Sequence, residues 1–209
     1  SSLTLIVSDV VGDDLSTIAS GPTVPDPTTF NDALGVLKRY GLLSKNPPKV
    51  LKRIRAGVRG ERPETPKPGG KTFKSAANVI VASNSVALEA AKKKAVSMGY
   101  NTLILSSSVT GPTRFTADLF SDIIREVKRS GNPVPAPACL LLGGETTLKV
   151  AGGGMGGRNQ EFALATAARI DGLAGVTVLA AGTDGTDGPT DVAGAFADST
   201  TLKRAKRAG

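Results

Sequence analysis

Apolar residues recur along this chain in two rhythms. Short runs rich in β-branched residues, Leu3 to Val7, Val79 to Ala82, Thr102 to Leu105, Cys139 to Leu142 and Val176 to Ala180, have the length and composition of buried parallel strands. Between them the apolar spacing is helical. Phe30, Ala33, Leu34, Leu37 and Tyr40 mark one helix, with Thr28 or Thr29 placed to cap it and Gly41 to end it. Val50, Leu51 and Ile54 behind Pro47-Pro48 mark a second, residues 86–98 a third closed by Gly99, and residues 113–129 a fourth. A helix beginning near Asn159 buries Phe162, Leu164, Ala165, Ala168 and Ile170, and a basic helix starts at about Ser199. Thr146 to Val150 alternates polar and apolar residues, and Gly143-Gly144 just before it predicts a tight turn and a hairpin with 139–142.

Alternating strands and helices predict an α/β fold: a mostly parallel sheet, helices on both faces in Rossmann-like layers, right-handed crossovers and glycine-rich loops at strand ends. No strand precedes the first and none follows the basic helix, so the sheet reads as incomplete through truncation. The polar, Pro- and Gly-rich stretch after Gly57 reads as a linker. On this reading residues 1–60 end one α/β domain, 61–75 link, and 76–209 form a second α/β region.

Composition narrows the chemistry. The chain has 209 residues, enough for one large or two small domains. Hydrophobic residues make up 40% and charged ones 21%, with no apolar run near the ~18 residues a membrane span needs and no signal-peptide pattern, which points to a cytoplasmic protein without a membrane partner. There is no histidine, which excludes a Ser–His–Asp triad within this chain, a His-ligated zinc site and a Cys–His pair, so Cys139 in its apolar run reads as structural. The net charge of +8 comes from 26 Lys and Arg against 18 Asp and Glu. These cations are scattered over helix surfaces without interleaved aromatics, and Trp is absent, so the charge reads as a solvated face that attracts anionic metabolites rather than nucleic acid. A homo-oligomer is compatible with this composition.

Candidate chemistry gathers in three glycine-rich loops that each follow a strand-like run: Gly143 to Thr147, Gly152 to Gly157 leading into Arg158-Asn159-Gln160-Glu161, and Gly182 to Thr190. Such loops let backbone N–H groups approach a phosphate, with carboxylates nearby to hold its metal. Gly152, Gly154 and Gly157 satisfy the G-x-G-x-x-G dinucleotide fingerprint, but so glycine-rich a run satisfies it almost automatically, and the acid expected after the next strand is missing. Arg158 at a helix start suits a carboxylate or phosphoryl oxygens, or else pairs with a surface acid. Asp184, Asp187 and Asp191 could ligate Mg²⁺ at a strand end, or could be turn formers that bond to their own backbone. Glu145 and Glu161 could support the site, and Glu161 could equally favour the helix dipole. Asp9 and Asp13 stand evenly between a cleft and loop caps, and Ser20-Gly21 and Ser83-Asn84 are weaker polar ligands. A P-loop is absent, because Gly70-Lys71-Thr72 lacks the required earlier glycine.

Five ordered motifs, Ser8-Asp9-Val10-Val11-Gly12-Asp13, Ile18-Ala19-Ser20-Gly21-Pro22-Thr23, Gly143-Gly144-Glu145-Thr146-Thr147, Gly156 to Glu161 and Gly182 to Thr190, resemble the glycerate 2-kinase family, whose C-terminal portion is called MOFRL. Members have also been labelled hydroxypyruvate reductases. The resemblance covers nearly the whole chain, with the MOFRL-type portion at about 138–209. It implies ATP- and Mg²⁺-dependent phosphorylation of D-glycerate to 2-phosphoglycerate in a cleft between two α/β domains. By resemblance Arg158 is the active-site arginine, with Asp184 and Asp187 in the acidic loop. Around them Ser20, Gly21, Ser83, Asn84, Gly143, Gly144, Glu145, Gly156, Gly157, Asn159, Glu161, Gly182 and Thr183 contact glycerate or nucleotide. Members are longer, with an N-terminal lysine-bearing region and a further C-terminal segment that have no counterpart here. The chain therefore reads as a fragment that does not turn over substrate efficiently by itself. The alternatives are an NAD(P)-dependent reductase and a non-catalytic anion- or nucleotide-binding module.

Overall fold

The computed structural model describes residues 1–208, which form two compact units, residues 1–83 and 84–208. In the first, strand β1 (Ser2–Val7) pairs in parallel with β2 (Ala76–Ala82), and helices α1 (Phe30–Arg39) and α2 (Pro48–Val58) lie between them in sequence. Thr29 caps α1 as the sequence suggests. Its hydroxyl accepts from Asp32 N–H while the Asp32 carboxylate accepts from Thr29 N–H at 2.8 Å, a reciprocal capping box. Gly57 of α2 lies under the Phe30 ring, where an added Cβ would stand 2.1 Å from the ring edge, so the two helices pack closely there.

One expectation changes in this unit. β1 was expected to be buried on both faces, yet Leu3, Leu5 and Val7 are 67%, 65% and 72% exposed. Burial alternates along the strand, because this two-stranded sheet is covered on one face only. Residues 61–75 join β2 to the rest of this unit and are fastened to the loop before α1: Phe30 N–H donates to Glu64 Oε1 at 3.0 Å, Thr65 Oγ1 to Asp26 Oδ2 at 2.8 Å and Asp26 N–H to Pro66 O at 2.9 Å.

The second unit contains α3 (Asn84–Ser97), β3 (Asn101–Pro112), α4 (Thr113–Ser130), β4 (Ala138–Thr147), α5 (Arg158–Arg169), β5 (Thr177–Ala181), β6 (Gly194–Asp198) and α6 (Thr201–Ala208). β3 and β4 pair in parallel from Asn101 opposite Ala138 to Pro112 opposite Thr147, with α4 as the crossover. α4 buries Ala117, Phe120, Ile124 and Val127, a stripe at helical spacing. Its Phe120 and Ile124 meet Ala163 and Ala167 of α5, Val178 of β5 and Ala197 of β6 in the main core. The two alanines let the helices approach, and the Phe120 and Phe162 rings pack 5.7 Å apart. Cys139 in β4 is half-buried, and burial pushes its thiol pKa up, as befits a structural cysteine.

The α/β class holds, with parallel pairing in β1–β2 and β3–β4, but the described strands form three two-stranded sheets and β5–β6 is antiparallel. The expected hairpin at Gly143-Gly144 is not formed. Both glycines lie inside β4, facing a stretch of β3 where the register slips between Ile104 and Val109. Gly144 takes φ +152, and a Cβ there would stand 2.1 Å from the Val109 carbonyl oxygen. Close backbone approach at a bulged pairing, rather than chain reversal, is what these glycines allow. Among the described residues no helix is long and apolar enough to cross a membrane.

Candidate functional site

Two of the glycine-rich loops, 152–157 and 182–191, meet over the first turn of α5. The junction is Asp187, only 2% exposed. One carboxylate oxygen accepts from the backbone N–H of Asn159 at 2.9 Å and from its side-chain amide at 3.1 Å. The other accepts from the backbone N–H of Gln160 at 2.8 Å and from its amide at 3.1 Å. Asp187 thus satisfies two N–H groups that the helix itself leaves unpaired, and sets a negative charge at the positive end of the helix dipole. Burial alone would raise its pKa, but the bonds from Asn159 and Gln160 outweigh it and hold the carboxyl below the ordinary carboxylate range. Thr190 closes the arrangement, donating to the Asp187 carbonyl at 2.7 Å and accepting from Gln160 Nε2 at 3.1 Å.

The junction leaves no room for side chains. A Cβ on Gly157 would lie 2.4 Å from the Asp187 carboxyl carbon, and one on Gly188, at φ +62, would lie 2.4 Å from the Gly156 carbonyl oxygen. Gly152, Gly153, Gly154 and Gly156 are different: a Cβ at any of them meets nothing within 4 Å, and none has the left-handed backbone that favours glycine. Nothing else among the described residues requires glycine at these four positions. They present bare backbone beside the start of α5.

Three carboxylates expected together are separated by burial. Asp187 is committed to α5, whereas Asp184 and Asp191 are exposed. Asp184 accepts from Thr186 N–H at 3.1 Å and from its hydroxyl at 3.3 Å, a turn closed on its own backbone. No three Asp, Glu, His or Cys side chains converge as a metal cage among the described residues, so the expected set of Asp184, Asp187 and Asp191 is not one. Mg²⁺ that travels with phosphates needs only one or two carboxylates besides water. Asp184 fits that demand; Asp187, with both oxygens engaged, does not.

Arg158 opens α5. Its Nη1 donates to Glu145 Oε1 at 2.8 Å and to the Thr146 carbonyl at 3.4 Å, which ties the end of β4 to the helix. The side chains are 45% and 51% exposed, so the pair adds little stability and chiefly sets where the guanidinium stands. One turn on, Glu161 accepts from Arg114 Nε at the start of α4. The Asn84 amide donates to the Ser107 carbonyl and occupies the space beside Gly143, where a Cβ would lie 2.4 Å from Asn84 Oδ1. Gly182 anchors its loop by donating to the Ala193 carbonyl at 2.7 Å, and Thr183 is exposed beyond it. Glu145, Asn159, Gly156, Gly157, Glu161 and Gly182 therefore surround the start of α5, with Gly143, Gly144 and Asn84 along β3 and β4.

Ser20, Gly21 and Ser83 belong to the first unit. Ala19, Ser20 and Gly21 are consecutive left-handed residues, with φ 49, 63 and 59. For the two that are not glycine this conformation costs roughly 1–2 kcal/mol each. Ser83 is buried at the end of β2, Asp9 is exposed and Asp13 is itself left-handed at φ 56. Sequence reasoning missed Arg114, Gln160, Thr190 and Thr113. Thr113 is buried with its hydroxyl donating to the Thr147 carbonyl at 2.9 Å. The available signal was that Thr113-Arg114 opens a helix straight after a strand, as Arg158 opens one after a loop. The dinucleotide fingerprint lacks its context, since β5 after α5 pairs antiparallel with β6 rather than parallel with β4.

The chain is similar to known proteins along nearly its whole length. Residues 138–209 match the MOFRL family, and residues 1–55 match a domain of unknown function, DUF4147. The chain is 42% identical over 208 residues to a glycerate 2-kinase of Pyrococcus horikoshii, covering 99% of this chain and 46% of that protein. It is 40% identical over 205 residues to a D-glycerate 2-kinase of Thermotoga maritima, covering 98% of this chain and 46% of the relative. A crystal structure of glycerate kinase from Thermotoga maritima superposes with a TM-score of 0.85 at 39% identity, covering 99% of this chain and 47% of that one. The chain spans about half the length of the curated relatives it matches. The chain carries the DUF4147 and MOFRL segments in order and is similar, along 99% of its length, to about half of a glycerate 2-kinase.

Proposed function

We propose that this chain works as part of a glycerate 2-kinase, which transfers a phosphoryl group from ATP to the 2-hydroxyl of D-glycerate, with Mg²⁺ and in the cytoplasm. The observation that carries this reading is the open backbone of Gly152–Gly154 and Gly156 beside Arg158. Glycines that the protein's own packing does not require suit the close approach of a ligand's phosphates to backbone N–H groups. Arg158 offers a planar fork to an anionic oxygen of substrate or nucleotide, exchanging part of its bond to Glu145 for it. Mg²⁺, when bound with the nucleotide, would supply charge neutralisation at the phosphates, and Asp184 would be the carboxylate to hold it. Asp187 is a positioning residue that fixes α5 and hence Arg158. Phosphoryl transfer asks for positioning and charge neutralisation more than for covalent help, which suits a chain without histidine.

The test is product identification. The intact protein that contains this chain is incubated with D-glycerate and MgATP and, separately, with hydroxypyruvate and NADH. Formation of ADP with 2-phosphoglycerate supports the reading, and NADH oxidation without ADP formation overturns it. In that intact protein Arg158→Lys should lower kcat/KM at least about tenfold, since an ammonium cannot reproduce the fork.

A further inference from the structure

Outside these loops, the largest local excess of positive charge lies along α2 and the turn after it. Residues 48–62 hold Lys49, Lys52, Arg53, Arg55, Arg59 and Arg62 against the single acid Glu61, a local excess of five in a chain whose whole excess is eight. Glu61 is already taken, accepting from Arg59 Nε at 2.6 Å and Nη2 at 2.9 Å. Like charges three and four residues apart, as in Lys49, Lys52 and Arg53 or Arg55 and Arg59, work against the helix. Nothing in its first turn offsets them, since the turn contains no acid and Pro47 provides no side-chain cap.

The cations surround an open concavity of about 300 Å³ lined by Lys49, Lys52, Arg53, Arg59 and Arg62 together with Ala56 and the Arg59-paired Glu61. That is the scale of a small-ligand site rather than of a surface track. No aromatic side chain lines it for base stacking. We infer that this cleft of the first unit binds a compact anion carrying several phosphoryl groups. Several guanidinium and ammonium groups around one small volume match closely spaced phosphates, and bidentate Arg–phosphate bonding adds geometric selectivity.

Inorganic tripolyphosphate is the probe, titrated into the chain by calorimetry without glycerate or nucleotide. Saturable one-to-one binding is expected, weakening at least about tenfold between roughly 50 and 200 mM salt. Arg53→Ala with Arg59→Ala should weaken it at least about tenfold, with circular dichroism unchanged because both side chains are exposed. Arg53→Gln alone should give a smaller loss in the same direction. The control, Lys206→Ala with Arg207→Ala on α6, removes the same charge elsewhere and should leave binding intact. Absence of saturable binding, or equal loss in the α6 control, overturns the inference. So does an oligonucleotide that binds with the same Arg53 and Arg59 dependence and that tripolyphosphate does not displace, since the partner would then be nucleic acid. None of these outcomes depends on kinase activity, so failure here and failure of the glycerate kinase reading are separable.

Discussion

Asp184 and Asp187 each precede a glycine in the same loop and are indistinguishable by local pattern. Burial separates them, and with burial their chemistry. Asp187→Asn keeps the shape but replaces an accepting oxygen with a donor facing donors, so we expect a loss of about 1–3 kcal/mol, read as a lower Tm. The pH dependence has a definite sign. Because the folded pKa of Asp187 lies below its ordinary value of 3.8, its contribution is fully present above that value and is lost as pH falls through the depressed one. The stability gap between wild type and Asp187→Asn should therefore be constant near neutrality and narrow below about pH 4 in urea titrations. Glycines divide in the same way. Gly157→Ala should cost about 1–3 kcal/mol by driving a methyl into the Asp187 carboxyl. Gly153→Ala should leave stability within about 0.5 kcal/mol of wild type yet raise KM for nucleotide or glycerate in the intact protein. An unchanged KM would remove the reason offered for the open glycines.

Elements with local signals were legible in the sequence. Thr29 and Asp32 announce the start of α1, Gly131 at φ +77 follows the end of α4, and the stripe Ala117, Phe120, Ile124, Val127 declares which face of α4 is buried. Elements defined by partners were not. Gly143-Gly144 carries the same local chemistry whether the chain reverses or two parallel strands crowd together, and only the slipped register of β3 decides. β6 is five residues, Gly-Ala-Phe-Ala-Asp, too short and too small in side chains to announce a strand, so the antiparallel β5–β6 pair went unread. The site followed the same division. Glycine-rich loops and Arg158 stand out by composition, whereas Arg114, Gln160 and Thr190 acquire meaning only from what faces them. At this scale the contact of α4 with α5 rests on small residues, and Ala167→Leu should destabilise by about 1–3 kcal/mol through overpacking, as measured by chemical denaturation.

Over the whole molecule, charge and apolar surface pull in opposite directions. A net charge of +8 opposes association, while Leu3, Leu5, Val7, Phe115, Leu119 and Phe196 are all more than 60% exposed. Large apolar groups on a surface mark contact sites, so sedimentation should reveal concentration-dependent association that strengthens as added salt screens the charge. Leu5→Gln with Phe196→Gln should reduce that association without lowering Tm, and an unchanged sedimentation profile would count against these residues as the contact. The clasp of Asp187 on α5 has one further result. With Gly157 and Gly188 in contact beneath it, the loops 152–157 and 182–191 cannot shift independently, so a ligand that draws one loop inward hauls the other along. The arginine at the head of α5 and the exposed aspartate three residues before the clasp would then arrive at the reacting groups together, as a single jaw.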